Sequence, residues 1–380
     1  ALAFDADGRA YYGTLGFRFV GPVNATNPDV LVSTSGDKGK SWDVHVVAAG
    51  SGNEGSVGDL LDKEYVAAWG HGNAIVTYGD YRADSRGAFT TARIYDSVTH
   101  DGGATWSAPR LVSGSLDQSF VSVPTVAADG KIYVAFLNTT DLVTGRDDYE
   151  VVRVSPATGA ALTAPVKVAT VIDGFRDYPV ALGRQTYQDS VFRSWAAGNI
   201  AADPTNASHL AVVWSDMRNS PPPSPDLNPY TSVTNSDVIV SESTDGGAHW
   251  SAAQAVALPG DQFQQWAAFD KNGVLRIGTF DRSYDPANHK YGFTMLKKTG
   301  GGFASTQVTD VLSDPTKNDR WFARNLNPAF PNATAFLGDY ANIAATPDGG
   351  VVAYWTDMRN PANFGGVTRS GQDAYFAKTQ

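Results

Sequence analysis

Four short stretches set an acid beside an arginine or two residues before one: Asp80-Tyr81-Arg82, Asp216-Met217-Arg218, Asp281-Arg282 and Asp357-Met358-Arg359. A guanidinium presents a planar fork of donors that grips a carboxylate at two points. Each pair therefore has two readings. The Asp caps a loop and holds its own Arg, or the Arg clamps the acid group of a substrate. Arg193, with Tyr187 and Asp189 just upstream, makes a further charged cluster. Asp62 and Glu64 offer carboxylates, which glycoside hydrolysis uses in pairs. Glu64 is one of only four Glu in the chain. On a regular strand, residues two apart project to one side, so Asp62 and Glu64 are expected to share a face. The plainer alternative is an ion pair with Lys63 or a nearby Arg. Asp339-Tyr340 adds a phenol beside an acid, and His289 a lone imidazole.

Composition narrows what those groups serve. The 380 residues suffice for a large core. There are 38 Gly, 20 Pro and 43 aromatic residues (9 Trp, 16 Tyr, 18 Phe). Gly and Pro punctuate turns and aromatics favour strands. No helical apolar period runs beyond a few turns, so the class is mainly β. A net charge of -10 argues against a non-specific grip on nucleic acid or an acidic membrane. With no cysteine, disulfides, thiol catalysis and cysteine metal sites are excluded. No P-loop, dinucleotide fingerprint or His-Glu-x-x-His occurs. No cofactor is expected. The Asp-rich turns leave room for structural calcium, although no ligand spacing argues for it. Sequons at Asn24, Asn138, Asn206 and Asn332 allow glycosylation in a eukaryotic host. The chain starts at Ala1-Leu2-Ala3-Phe4, inside a strand-like segment. A leader, and with it an upstream strand, is expected to have been removed, in a secreted or extracellular protein.

The elements that must position these groups repeat. Ser35-Gly36-Asp37-Lys38-Gly39-Lys40-Ser41-Trp42, Thr99-His100-Asp101-Gly102-Gly103-Ala104-Thr105-Trp106 and Ser243-Thr244-Asp245-Gly246-Gly247-Ala248-His249-Trp250 share one pattern. Each follows a β-like run. The Asp is expected to accept backbone N–H groups, Gly to take the positive φ, and Trp to pack under the loop. Weaker copies lie at 155–159 and 298–303. Six further hairpins centre on Asp5-Ala6-Asp7-Gly8, His71-Gly72-Asn73, Ala128-Asp129-Gly130, Asp203-Pro204-Thr205-Asn206, Asp270-Lys271-Asn272-Gly273 and Pro347-Asp348-Gly349.

The first pattern resembles the Asp-box, or BNR repeat, of the sialidase-like β-propellers. The resemblance implies an all-β, six-bladed β-propeller in one domain over 1–380. Blades are expected at roughly 1–50, 51–112, 113–170, 171–257, 258–312 and 313–380, the last without an outer strand. Strand alternation puts both hairpin sets on one face. The other face then collects Asp62, Glu64, Tyr187, Asp189, Arg193, Asp339 and Tyr340, with Arg82, Arg218, Arg282 and Arg359 and with His289.

The layout Gly338-Asp339-Tyr340, turn, Tyr354-Trp355-Thr356-Asp357 is similar to the last blade of a sialidase, where a tyrosine is the nucleophile. That implies Tyr340 as nucleophile or base, helped by a carboxylate that takes its proton. Glu64, Asp62 and Asp339 are the catalytic carboxyl candidates. Arg82, Arg193, Arg218, Arg282 and Arg359, with Tyr187 and Asp189, are the expected substrate-binding set. The Arg-Ile-Pro tripeptide of sialidases does not occur. The expected activity is an exo-acting glycoside hydrolase on an acidic glycan or polysaccharide, in a monomer that binds neither nucleic acid nor membrane. A polysaccharide lyase, with Tyr340 taking a proton and an Arg or His289 neutralising the uronate, and a non-catalytic glycan- or protein-binding propeller remain alternatives.

Overall fold

The structure is a computed structural model that describes residues 1–21, 25–53, 57–86, 89–316, 336–364 and 366–379. The sequons at Asn24 and Asn332 lie outside the described residues. Among those described there is no helix, and none that could cross a membrane. The strands pair into six consecutive antiparallel sheets, the fold class of a six-bladed β-propeller.

The first sheet holds β1 (Leu2–Phe4), β2 (Ala10–Gly16), β3 (Asp29–Ser35) and β4 (Asp43–Ala48). The second holds β5 (Gly58–Trp69), β6 (Asn73–Ala83), β7 (Phe89–Thr99) and β8 (Arg110–Leu111). The third holds β9 (Ser119–Val126), β10 (Ile132–Asp141), β11 (Arg146–Val154) and β12 (Val166–Val171). A small hairpin, β13 (Val180–Ala181) with β14 (Arg184–Gln185), precedes the fourth sheet. That sheet holds β15 (Asn199–Ala202), β16 (Leu210–Asp216), β17 (Asp237–Ser243) and β18 (Gln254–Val256). The fifth holds β19 (Gln262–Phe269), β20 (Leu275–Asp281), β21 (Gly292–Thr299) and β22 (Gly302–Gln307). The sixth has three strands, β23 (Asn342–Ala345), β24 (Val351–Asp357) and, beyond the hairpin β25 (Pro361–Phe364) and β26 (Val367–Ser370), β27 (Asp373–Thr379). Each sheet follows chain order; most links are hairpins or short loops, but a long segment joins β16 to β17 and the β25–β26 hairpin lies between β24 and β27.

The chain divides into two compact units. One is Ala1–Thr140, Asp148–Ala169 and Asp245–His249; the other is Asp141–Asp147, Thr170–Thr244 and Trp250–Gln380. The first unit packs Ile75, Ile94, Ile132, Val134, Phe136 and Val152 into one core and Tyr11, Val30, Val32, Val66, Val76 and Tyr78 into another. The second buries a largely aromatic core around Tyr187, Phe192, Phe263, Phe280, Phe293 and Trp355. Within strands, runs such as Ile132, Val134 and Phe136 or Val30 and Val32 take alternate positions, while Tyr187 and Phe192 enter the core from the loop before β15.

The Asp turns form as expected. Asp37 accepts the N–H groups of Lys40 (2.9 Å) and Ser41 (3.0 Å) and the Ser41 hydroxyl (2.6 Å). Asp101 accepts the Thr105 N–H and hydroxyl in the same way (2.9 and 2.6 Å). Asp245 accepts the His249 N–H (3.0 Å). The tryptophans differ from expectation. Trp106 packs against the core, whereas Trp42 is exposed and folds back on its own turn, donating to the Gly39 carbonyl at 3.2 Å. The sequon residue Asn138 is buried and bonded to Ser119, so it cannot present a glycan. No group of three or more His, Asp or Glu among the described residues could hold a metal ion.

One device recurs on the first strand of three sheets. The register slips between Asp62 and Tyr65 on β5, between Phe120 and Val123 on β9, and between Phe263 and Trp266 on β19. In each slip two residues face one on the partner strand, which defines a β-bulge. The first residue of each bulge is left-handed and not glycine: Lys63 (φ 61), Val121 (φ 53) and Gln264 (φ 49). Such a backbone costs about 1–3 kcal/mol and persists only where the surroundings enforce it.

Candidate active site

In the second unit, the segment leading into β23 carries Asp339 and Tyr340. It is pinned from outside. Gln264, the left-handed residue of β19, donates Nε2 to the Gly338 carbonyl at 2.8 Å, and Gln372 donates to that of Phe336 at 2.6 Å. Gly338 itself has φ 83, where a side chain would be strained. Asp339 is buried and takes a fork from Arg193, with Nε at 2.7 Å and Nη2 on the second oxygen. The Arg193 guanidinium lies 5.1 Å from the Trp195 ring centre and 5.4 Å from that of Phe336. Both carboxylate oxygens of Asp339 are thus committed. It can orient the chain, but taking a proton would break a buried charge pair. Tyr340, the next residue, stays 39% exposed. Of the residues expected on one face, the structure pairs Arg193 with Asp339, which Tyr340 follows in the chain.

Two expected binding residues turn out to be internal. Tyr187 is 0% exposed and stacks on Phe263 with centroids 5.0 Å apart; burial raises its phenol far above the ordinary range. Arg282 is also 0% exposed. It donates to the carbonyls of Gln188 and Asn288 (both 3.0 Å), to Asp261 (3.1 Å) and to the Ser190 hydroxyl (2.6 Å). Burial lowers its pKa, opposed by Asp261. These are corrections: polar residues at the end of a strand serve the inside of a loop as readily as its surface.

Arg218 and Arg359 reveal a motif that includes the tryptophan two residues before the acid. In Trp214-Ser215-Asp216-Met217-Arg218 the indole N–H donates to Asp216 at 2.9 Å, and Arg218 forks onto the same carboxylate at 2.9 and 2.7 Å. In Trp355-Thr356-Asp357-Met358-Arg359 the distances are 3.2, 2.9 and 2.8 Å. Met217 and Met358 both point into the core. The capping reading therefore describes both copies. Arg359 also reaches Asp310 (2.7 Å) and stacks over Tyr375 (4.4 Å). Asp189 sits apart from Tyr187. It is left-handed (φ 48), and its carboxylate lies 3.9 Å from Nδ1 of His289, whose Nε2 faces Asp314 at 3.3 Å.

Asp147 and Asp173 carried no signal in the sequence, because neither lies in a repeat. They are neighbours in the second unit. The Asp147 N–H donates to Asp173 at 3.2 Å. Burial first, then the Asp147 carboxylate, push Asp173 well above the carboxylate range. The neighbouring carboxylate and the loss of solvent both favour the protonated form of Asp173. Asp237 is pushed up to about 6, again by burial.

In the first unit, the bulge at Lys63 breaks the strand alternation, so Asp62 and Glu64 do not project together as on a regular strand. Asp62 turns back to accept the Lys63 N–H at 2.8 Å. Glu64 packs its chain over Gly13, and burial raises its carboxyl. Arg82 pairs with Asp59 (2.9 Å) and Asp80 (3.4 Å) beside a cavity of about 350 Å³. Burial, then Asp59, raise the Asp80 carboxyl.

No protein-family profile and no curated protein sequence matches the chain. Its fold does match solved structures. A protein of unknown function from Dyadobacter fermentans superposes with a TM-score of 0.53 at 10% identity, covering 100% of this chain and 92% of that one. The NanB sialidase of Streptococcus pneumoniae gives 0.52 at 8%, covering 93% of this chain and 64% of that one. The Trypanosoma rangeli sialidase gives 0.52 at 10%, covering 98% and 53%. The chain is thus similar in fold to the sialidase-like propellers, and it spans less than two thirds of either sialidase.

Proposed function

We propose that the protein is an exo-acting glycoside hydrolase on an acidic glycan and that Tyr340 is its reacting tyrosine. The observation that carries this reading is the pairing of an exposed phenol with an anchored backbone. The Asp339–Arg193 fork and the Gln264 and Gln372 clamps hold the segment, while the Tyr340 ring stays open to solvent. A phenol suits attack beside a substrate carboxylate, since a neutral nucleophile avoids like-charge repulsion; as its oxygen bonds the anomeric carbon and the bond to the leaving sugar breaks, its proton passes to a carboxylate other than Asp339. Asp339 acts as a positioning residue. An extracellular setting and a monomeric state accord with a polymeric sugar substrate.

The test is turnover of a panel of sialylated and uronate-bearing glycans by wild type and Tyr340→Phe. The expected result is a loss of at least about a hundredfold in kcat, with little change in KM. Unchanged turnover removes Tyr340 from the mechanism. A rise in ultraviolet absorbance from an unsaturated uronate assigns the lyase instead.

A second reading, a non-catalytic glycan-binding propeller, is favoured by one observation. Arg82, Arg193, Arg218, Arg282 and Arg359 each hold a carboxylate of the protein itself. Binding of acidic glycans without turnover of any would establish it.

A further inference from the structure

A cavity of about 540 Å³ opens wholly within the second unit, in the range of small-molecule sites. Arg146, Arg176 and Arg218 line it. Two of the three are held rigidly. Arg146 forks onto Asp177 through Nε (2.8 Å) and Nη2 (2.6 Å), and Asp177 is steadied by the Gly174 N–H at 2.8 Å. Arg218 uses Nε and Nη2 on Asp216. Neither donates Nη1 to a described residue, so each has donors left for something else. Arg176 is exposed and makes no ion pair with a described residue. Asp141 and Asp173 also act on Arg146, and Asp237 on Arg218, so the guanidiniums offer directed donors rather than a net positive charge. Besides Thr170, Asp177 and Ser220, the wall is formed by Ile172 and Met217, with Pro221-Pro222-Pro223. Three successive prolines fix φ and present ring faces with little entropy to lose on binding.

We propose that this cavity binds an acidic sugar residue, its carboxylate or sulfate on the spare arginine donors and its ring against the proline wall. Arg176 supplies the fork, and Arg146 and Arg218 add preorganised edges. The site shares no residue with the Tyr340 segment. It goes beyond the hydrolase reading and does not depend on it: a subsite here would hold a chain of acidic sugars whether or not the protein cleaves it.

The experiment is calorimetric titration, at low ionic strength, of the whole protein with glucuronate, N-acetylglucosamine 6-sulfate, glucose and inorganic sulfate. Wild type, Arg176→Ala, Arg176→Lys and Tyr340→Phe are compared, with thermal unfolding as the folding control. One or both sugar acids should bind wild type, and glucose should not. Arg176→Ala should weaken binding about tenfold or more. Arg176→Lys should fall between, keeping charge without the fork. Tyr340→Phe should bind as wild type does, which separates this site from the catalytic reading. The proposal is overturned if Arg176→Ala binds within about twofold of wild type. It is also overturned if inorganic sulfate binds as tightly as the sugar acids, because the proline wall would then contribute nothing.

Discussion

Among single residues, Asp96 has the least comfortable surroundings. It is fully buried on β7, and neither carboxylate oxygen has a hydrogen-bond partner among the described residues. Gly159 closes over it so tightly that a Cβ there would meet an Asp96 oxygen at 2.3 Å. Burial pushes the carboxyl up to about 8, with only Arg110 opposing. An unfolded Asp titrates near ~3.9. Between there and about 8 the folded state binds the extra proton, so stability falls as pH rises across that window. Asp96→Asn should be more stable than wild type at pH ~8, by roughly 1 kcal/mol or more, and should flatten the profile. Urea unfolding at pH ~5 and ~8 measures both; an unaltered profile would mean that Asp96 does not carry the proton. Nothing near Asp96 in the sequence announces this, because its covering residue lies sixty-three positions away in a neighbouring turn. Asp37 and Asp101 are the opposite case. Their partners lie within four residues, and the spacing of Ser or Thr, Asp and Gly spells out the geometry.

At the scale of elements, the left-handed bulges on β5, β9 and β19 are the costly parts. Lys63 is the simplest to relieve. Lys63→Gly should stabilise the protein by up to about 1 kcal/mol, read as a rise in the urea midpoint at constant slope. Val121→Gly should not do so, because it also deletes a buried side chain. Alternation of apolar residues made the strands legible, but a bulge leaves no compositional mark. That is why Asp62 and Glu64 were expected on one face. The same limit applies to the Trp-x-Asp-x-Arg segments. The Asp and Arg were conspicuous, yet the tryptophan that decides their role only gains meaning once its indole is seen on the carboxylate.

Across the whole molecule, the repeated Asp turns contribute to the loss of stability in acid. Hydrogen bonds from the Ser41 side chain and N–H, and from those of Thr105, hold Asp37 and Asp101 at about 2. Each folded pKa lies below the unfolded value, so the stability they contribute is present above pH ~4 and lost as pH falls towards 2. Asp101→Ala should unfold at lower temperature at pH ~7 and lose part of the acid dependence, as circular dichroism at stepped pH would show. The six-sheet fold was readable because the hairpins repeat. The arginine-lined cavity was not, since it joins β11, the loop after β12 and the proline run after β16.

The Trp214 segment has an optical consequence. Its indole is fully buried and bonded to Asp216, and the Arg218 guanidinium lies 5.6 Å from the ring while lining the cavity. A ligand that draws on Arg218 alters the field at that chromophore, so the protein carries its own emission reporter for the hollow. Difference spectra against Trp214→Phe isolate that signal from the other eight tryptophans.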